Sequence, residues 1–208
     1  MCFLACSYLW QVSVDAPTGE DYFETISLLY AVSAATQRFV LVEAGSSNGY
    51  WSLKAAKAFR QKHPEEGSCD LILIDSEYPM AQTAEHLREN SIHDLCNISL
   101  YQEPATTSLL DRLVQAFGSI NMIHVDIQSA ELDLLKGSEH LSKVQALHVG
   151  THSRDLHHNV REELLARGFS MDFDYSPFSF EVQIVQTVCL VSTLEMGRWY
   201  INDPRWRA

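Results

Sequence analysis

The sequence predicts an α/β fold: a doubly wound, mostly parallel sheet of seven strands with helices on both faces. Three observations predict it. Short β-branched apolar runs alternate with amphipathic stretches from Arg38 onward, a glycine-containing loop joins the first run to the next helix, and the last two strands follow each other with no helix between them. Alternation implies right-handed crossovers and parallel neighbours. Two consecutive strands at the end imply an antiparallel edge.

The elements follow in order. A first helix is expected over 22–35, in a helical cap segment spanning 1–37 that precedes the main domain at 38–208. The run Arg38-Phe-Val-Leu-Val-Glu43 is continuously apolar before a turn, the mark of a strand buried on both faces. Helix 49–61, strand 70–75, helix 81–90, strand 97–101 and helix 108–117 come next. Strand 122–126, helix 129–136, strand 144–149 and helix 156–167 continue the alternation. Strands near 169–173 and 184–191 close it, the last one antiparallel. The turn-rich breaks around 15–20 and 63–68 are too short to separate domains.

With 208 residues the chain fits one domain, whose usual size is roughly 100–200 residues. Its net charge of −12, with fifteen Lys and Arg scattered along the chain, opposes binding to phosphate backbones and to anionic lipid. Neither a nucleic-acid nor a membrane partner is expected. Cys2, Cys6, Cys69, Cys96 and Cys189 form no C-x-x-C pair and read as reduced core thiols of a cytoplasmic protein. The apolar start from Cys2 to Val14 lacks a basic region and a cleavage site and is too short to span a bilayer. It reads as a packing segment, and leaves room for a longer natural chain ahead of it.

In a sheet of this kind ligands bind beyond the carboxyl ends of the strands, so the residues after Val42, Ile74, Val125 and Val149 are the ones to inspect. The first of these loops is Glu43-Ala-Gly45-Ser-Ser-Asn-Gly49-Tyr50. Gly45 permits a sharp turn and close backbone approach, and Gly49 lets the helix start against it. The spacing G-x-x-x-G is not the dinucleotide G-x-G-x-x-G, and Glu43 at a strand tip would repel a pyrophosphate while attracting an ammonium. The second strand ends Asp75-Ser-Glu77, two carboxylates of which either can accept both ribose hydroxyls. Asp126 closes the fourth strand, and His152 lies just past the fifth. Neighbouring strands would let the two converge over one crevice. Glu131 falls in the first turn of its helix, where complementing the helix dipole is its main expected role. His148, His152, His157 and His158 cross a strand, a loop and a helix start without a zinc-ligand spacing, so no structural zinc site is expected. Trp10, Trp51, Trp199 and Trp206 can line an apolar pocket, with Trp51 assigned to core packing.

The most specific segment is Ile123-His-Val-Asp126-Ile-Gln-Ser-Ala-Glu131-Leu-Asp-Leu-Leu-Lys-Gly137. It resembles the signature of FkbM-type S-adenosylmethionine-dependent methyltransferases, in which a strand ends in D-V-E-G-A-E and a helix continues to L-x-G. The likeness takes in Val42-Glu43-Ala-Gly45 with Gly49-Tyr50, Glu77 with Pro79, Leu87 to Asn90, His148 to Ser153 and Leu164 to Phe169. Gln128 and Ser129 depart from the family's Glu and Gly, Ser47 from its Asn, and Gly150 from its acid. The resemblance implies a class I methyltransferase-like Rossmann fold that binds S-adenosylmethionine through Glu43, Gly45, Ser47, Gly49, Tyr50, Asp75, Glu77 and Asp126, with Glu77 preferred to Asp75 for the ribose. Asp126 and His152 are then the catalytic candidates, a bound Mg²⁺ at Asp126 the alternative to a histidine base, and a small hydroxylated molecule the acceptor. The competing reading is a donor-binding or partner-binding module without turnover.

Overall fold

The computed structural model describes residues 20–65, 67–174 and, for the backbone, 186–192. Most of the 1–37 segment, Trp10, Trp199 and Trp206 lie outside them. The elements are α1 (Glu20–Ala34), β1 (Arg38–Ala44), α2 (Tyr50–Lys62), β2 (Ser68–Ile74), α3 (Met80–Glu89), β3 (Asn97–Tyr101), α4 (Thr107–Phe117), β4 (Ile120–Val125), α5 (Glu131–Lys136), β5 (Val144–Thr151), α6 (Arg154–Ala166), β6 (Phe169–Asp174) and β7 (Gln186–Ser192).

Five strands pair in parallel in the order β3-β2-β1-β4-β5. The order reverses direction at β1, leaving the crevice between the carboxyl ends of β1 and β4 as the switch point. Beyond β5 the backbone of β7 pairs antiparallel with β5, and that of β6 antiparallel with β7. Two apolar layers sandwich the sheet, because strands buried on both faces send alternate side chains to opposite sides. Val40, Val42, Ile72, Ile123, Val125, Leu147 and Val149 meet α4, α5 and α6. Phe39, Leu41, Leu71, Leu73 and Met122 meet α1, α2 and α3, where Phe39 stacks on Phe59 at 5.7 Å between ring centroids. Trp51, 8% exposed, belongs to this second layer, in agreement with its assignment to the core.

Three local differences from the sequence reading have physical causes. α5 starts at Glu131 and not at 129, because Gln128 (φ 57°) and Ser129 (φ 85°) are left-handed and cannot continue a helix. α6 starts at Arg154, two residues early, since Ser153 caps it by accepting from the Leu156 amide at 3.2 Å. Cys69 and Cys96 are joined by a disulfide, which corrects the reading of reduced thiols for this pair. Parallel pairing of Asp70 with Asn97 sets the two preceding residues side by side. The cysteine pattern therefore no longer supports a reducing compartment. Among the described residues no helix is long and apolar enough to cross a membrane.

Candidate active site

The loop after β1 is fixed by its neighbours more than by its own side chains. The Gly45 and Ser46 amides both donate to the Ile74 carbonyl, at 2.8 and 3.1 Å, and the Ser47 amide donates to Asp75 Oδ2 at 2.8 Å. Thr83 Oγ1 donates to the Ser47 carbonyl, and His86 Nδ1 lies 2.8 Å from the Asn48 carbonyl. Gly45 (φ 82°) is indispensable for a reason other than ligand approach: a Cβ there would sit 1.7 Å from the Asp126 carbonyl oxygen. Gly49 is likewise a packing glycine, whose Cβ would press on Leu73 at 2.8 Å. Ser47 and Tyr50 are exposed, and Lys54 sits over the Tyr50 ring at 4.2 Å.

Glu43 is 1% exposed. Its side chain is buried, with Oε1 accepting from the Trp51 amide at 3.3 Å and Oε2 from the Ser52 amide and hydroxyl. The carboxyl turns inward and satisfies the open amides at the start of α2. Burial pushes it above the usual carboxylate range, against the opposing pull of His124 and the Ser52 and Trp51 donors. In this arrangement the Glu43 carboxyl supports the far end of the loop.

The two acids after β2 separate cleanly. Asp75 is spent on backbone, with Oδ1 accepting from the Glu77 and Tyr78 amides at 2.9 and 2.8 Å and Oδ2 from Ser47. Glu77 is exposed, and no hydrogen bond to its side chain is found among the described residues. Gln102, at the end of β3, ties this turn together through the Met80 amide and the Asp75 and Tyr78 carbonyls. Nothing in the sequence marked it.

Asp126, Glu131 and His152 are brought together at the carboxyl ends of β4 and β5. Asp126 follows the last residue of β4, its amide donating to the Ala44 carbonyl at 2.9 Å. His152 follows β5, and its Nε2 lies 3.1 Å from Asp126 Oδ1. Its Nδ1 lies 3.0 Å from Glu131 Oε1, which also accepts from the Ile127 and Ser129 amides. Glu131 is fully buried. With Oε1 held by two amides and by Nδ1, His152 is left with Nε2 as the ring nitrogen facing Asp126 and the crevice. Asp126 Oδ1 and Glu131 Oε2 are buried without a hydrogen-bond partner among the described residues, as is Ser46 Oγ beside Gly45. The other histidines go elsewhere: His157 is held by Thr151 and Asp174, and His148 lies on the opposite face, under α1.

No protein-family model matches the chain. Over 57 residues, 26% of its length, it is 40% identical to a protein of Jannaschia sp. (strain CCS1) named "Putative methyltransferase", and it spans 20% of that relative's length. An rRNA methylase from Streptococcus thermophilus has the same fold at a TM-score of 0.58 and 15% identity, over 81% of this chain and 95% of that one. The TDP-rhamnose 3'-O-methyltransferase of calicheamicin biosynthesis gives 0.56 at 10% identity, over 82% and 78%. The fold is that of class I S-adenosylmethionine-dependent methyltransferases.

Proposed function

We propose that the protein transfers a methyl group from S-adenosylmethionine to the oxygen of a small hydroxylated molecule, as an FkbM-type enzyme on the full class I sheet with its reversed last strand. The observation that carries the reading is His152, held by buried Glu131 with Nε2 turned to the crevice beside Asp126. The donor, when bound, supplies an electrophilic methyl on a sulfonium. Three features suit it: the exposed carboxylate of Glu77 for the ribose hydroxyls, the partly exposed Asp126 carboxylate for an ammonium, and Ser46 Oγ beside the loop.

The chain's own contribution is alignment and proton removal. As the acceptor oxygen attacks, the O–C bond forms, the S–C bond breaks with its electron pair going to sulfur, and the hydroxyl proton passes to His152 Nε2. The imidazolium so formed donates from both nitrogens, to Asp126 and to Glu131. Magnesium suits the site less well, because a hard cation prefers oxygen ligands and here an imidazole stands between the two carboxylates. The net charge of −12 makes a polyanionic acceptor unfavourable, hence a small molecule.

The test is donor affinity together with product formation. Glu77→Ala should weaken S-adenosylmethionine binding by about 1–3 kcal/mol, the cost of losing charge-assisted hydrogen bonds. Asp75→Ala should act less directly, by loosening the loop. The reverse order would move the ribose contact to Asp75. A screen of hydroxylated acceptors that yields no methylated product, with the donor bound normally, would favour the module without turnover.

A further inference from the structure

A second cluster of polar side chains lies outside the proposed active site, within the layer between the sheet and α1. Glu43, His124 and His148 occupy one row across β1, β4 and β5, since Glu43 is in register with His124 and His124 with His148. Glu43 faces α2, as described. The two histidines face Glu24 of α1. His124 is 3% exposed, His148 not at all, and the Glu24 side chain 12%. Their imidazoles lie parallel, with centroids 5.2 Å apart and an interplanar angle of 3°.

The hydrogen positions around His148 leave an electrostatic conflict. Ser27 Oγ donates its one proton to the Phe23 carbonyl at 2.7 Å, so towards His148 Nδ1, 3.2 Å away, it can only accept. Nδ1 therefore carries the proton. A single ring proton placed on Nδ1 leaves Nε2 as a bare lone pair. That lone pair is buried without a hydrogen-bond partner among the described residues, and it lies 3.6 Å from Glu24 Oε1. His124 Nε2 approaches the same oxygen at 3.0 Å. Two electron-rich atoms thus converge in a dry site with no proton assigned between them. A cation would resolve this by taking both imidazole nitrogens and the carboxylate as ligands, in place of the His124–Glu24 hydrogen bond.

We propose that Glu24, His124 and His148 form a binding site for a divalent zinc-class cation that pins α1 to the sheet. The three ligand atoms lie within 4.8 Å of one another. The separations to Glu24 Oε1 of 3.0 and 3.6 Å bracket the value of about 3.3 Å expected between tetrahedral ligands with bonds of roughly 2.0–2.1 Å. Two neutral imidazoles and one carboxylate are ligands that zinc accepts and magnesium does not favour. The Ser27 hydroxyl plays the outer part, fixing the His148 tautomer so that Nε2 points inward. This site does not depend on the methyltransferase reading.

The test uses the purified full chain, stripped with a chelator and titrated with Zn²⁺ and with Co²⁺. One equivalent is expected to bind, to raise the melting temperature by about 5 °C at saturating metal, and, as Co²⁺, to give the intense visible absorption of a four-coordinate nitrogen and oxygen site. His124→Asn, His148→Asn and Glu24→Gln should each weaken binding by about 100-fold or more, whereas His152→Asn should leave it unchanged. Loss of binding in His152→Asn, with retention in Glu24→Gln, would assign the metal to the active-site cluster and overturn the proposal. Absence of stoichiometric binding by the unmodified chain would overturn it as well, whatever the folding of the variants.

Discussion

At the scale of single residues, the account turns on which atoms are already spent. Glu43 and Asp75 end buried strands, as ligand-binding acids do, yet both are consumed by backbone amides. Glu77 and Asp126 retain acceptor oxygens. His152→Ala should therefore lower turnover by about 10²- to 10⁴-fold with donor affinity nearly unchanged. Glu131→Gln keeps an acceptor for Nδ1 but removes the charge that steadies the imidazolium, so it should lower turnover and leave KM close to normal. A normal rate in both variants would leave proximity alone to explain catalysis. Asp126 and His152 were legible in the sequence because each follows a strand that the fold makes neighbours. The partnership of Glu131 was not, since a carboxylate in a first helical turn looks the same whether it faces solvent or folds beneath the preceding loop. Ser129, left-handed at φ 85° where the resembling family has glycine, supplies a further check: Ser129→Gly should raise stability by about 1 kcal/mol in urea unfolding, the strain of a non-glycine residue there. No gain would mean that the loop relaxes the strain elsewhere.

At the scale of elements, periodicity found the six α-helices and the five parallel strands, erred at their ends and missed the short 3-10 turns at Ile92–Asp94 and Leu141–Lys143. Helix starts depend on capping and on left-handed residues, which apolar spacing does not record. The packing of one element on another is equally hidden, and Asp111 illustrates it. On α4, it accepts from the Ser138 hydroxyl at 2.6 Å and from the Glu139 and His140 amides at 3.3 and 3.4 Å, tying the helix to the turn after α5. Burial alone would raise it, but these donors together hold its carboxyl below the usual range. A lowered folded value means that the unfolded chain binds the proton first. The stabilisation is present above the ordinary carboxylate value and is lost as pH falls through the folded one. Asp111→Asn should cost about 1 kcal/mol at pH 7, as for a lost hydrogen bond, and the gap to the unmodified chain should narrow at acid pH. A gap that persists in acid would show that packing, not charge, carries the effect.

At the scale of the whole molecule, the sheet order reverses at β1 and so opens a crevice at its carboxyl edge. The β1 loop, the exposed Glu77 carboxylate and the Asp126–His152–Glu131 group all stand along that edge. The opposite layer, under α1, holds the histidine pair that sequence spacing could not join, because Glu24 lies 100 residues before His124 and only the fold brings them together. The acceptor was illegible for another reason: acceptor pockets are built from loops and chain ends, whose shape the periodic part of a sequence does not encode. The donor is the claim on which the functional reading stands. It is tested most directly by calorimetric titration of S-adenosylhomocysteine into the full chain at about 100 μM protein. The account predicts saturable binding at one site with a dissociation constant in the micromolar range, about −8 kcal/mol; the absence of any binding heat at several temperatures would contradict it.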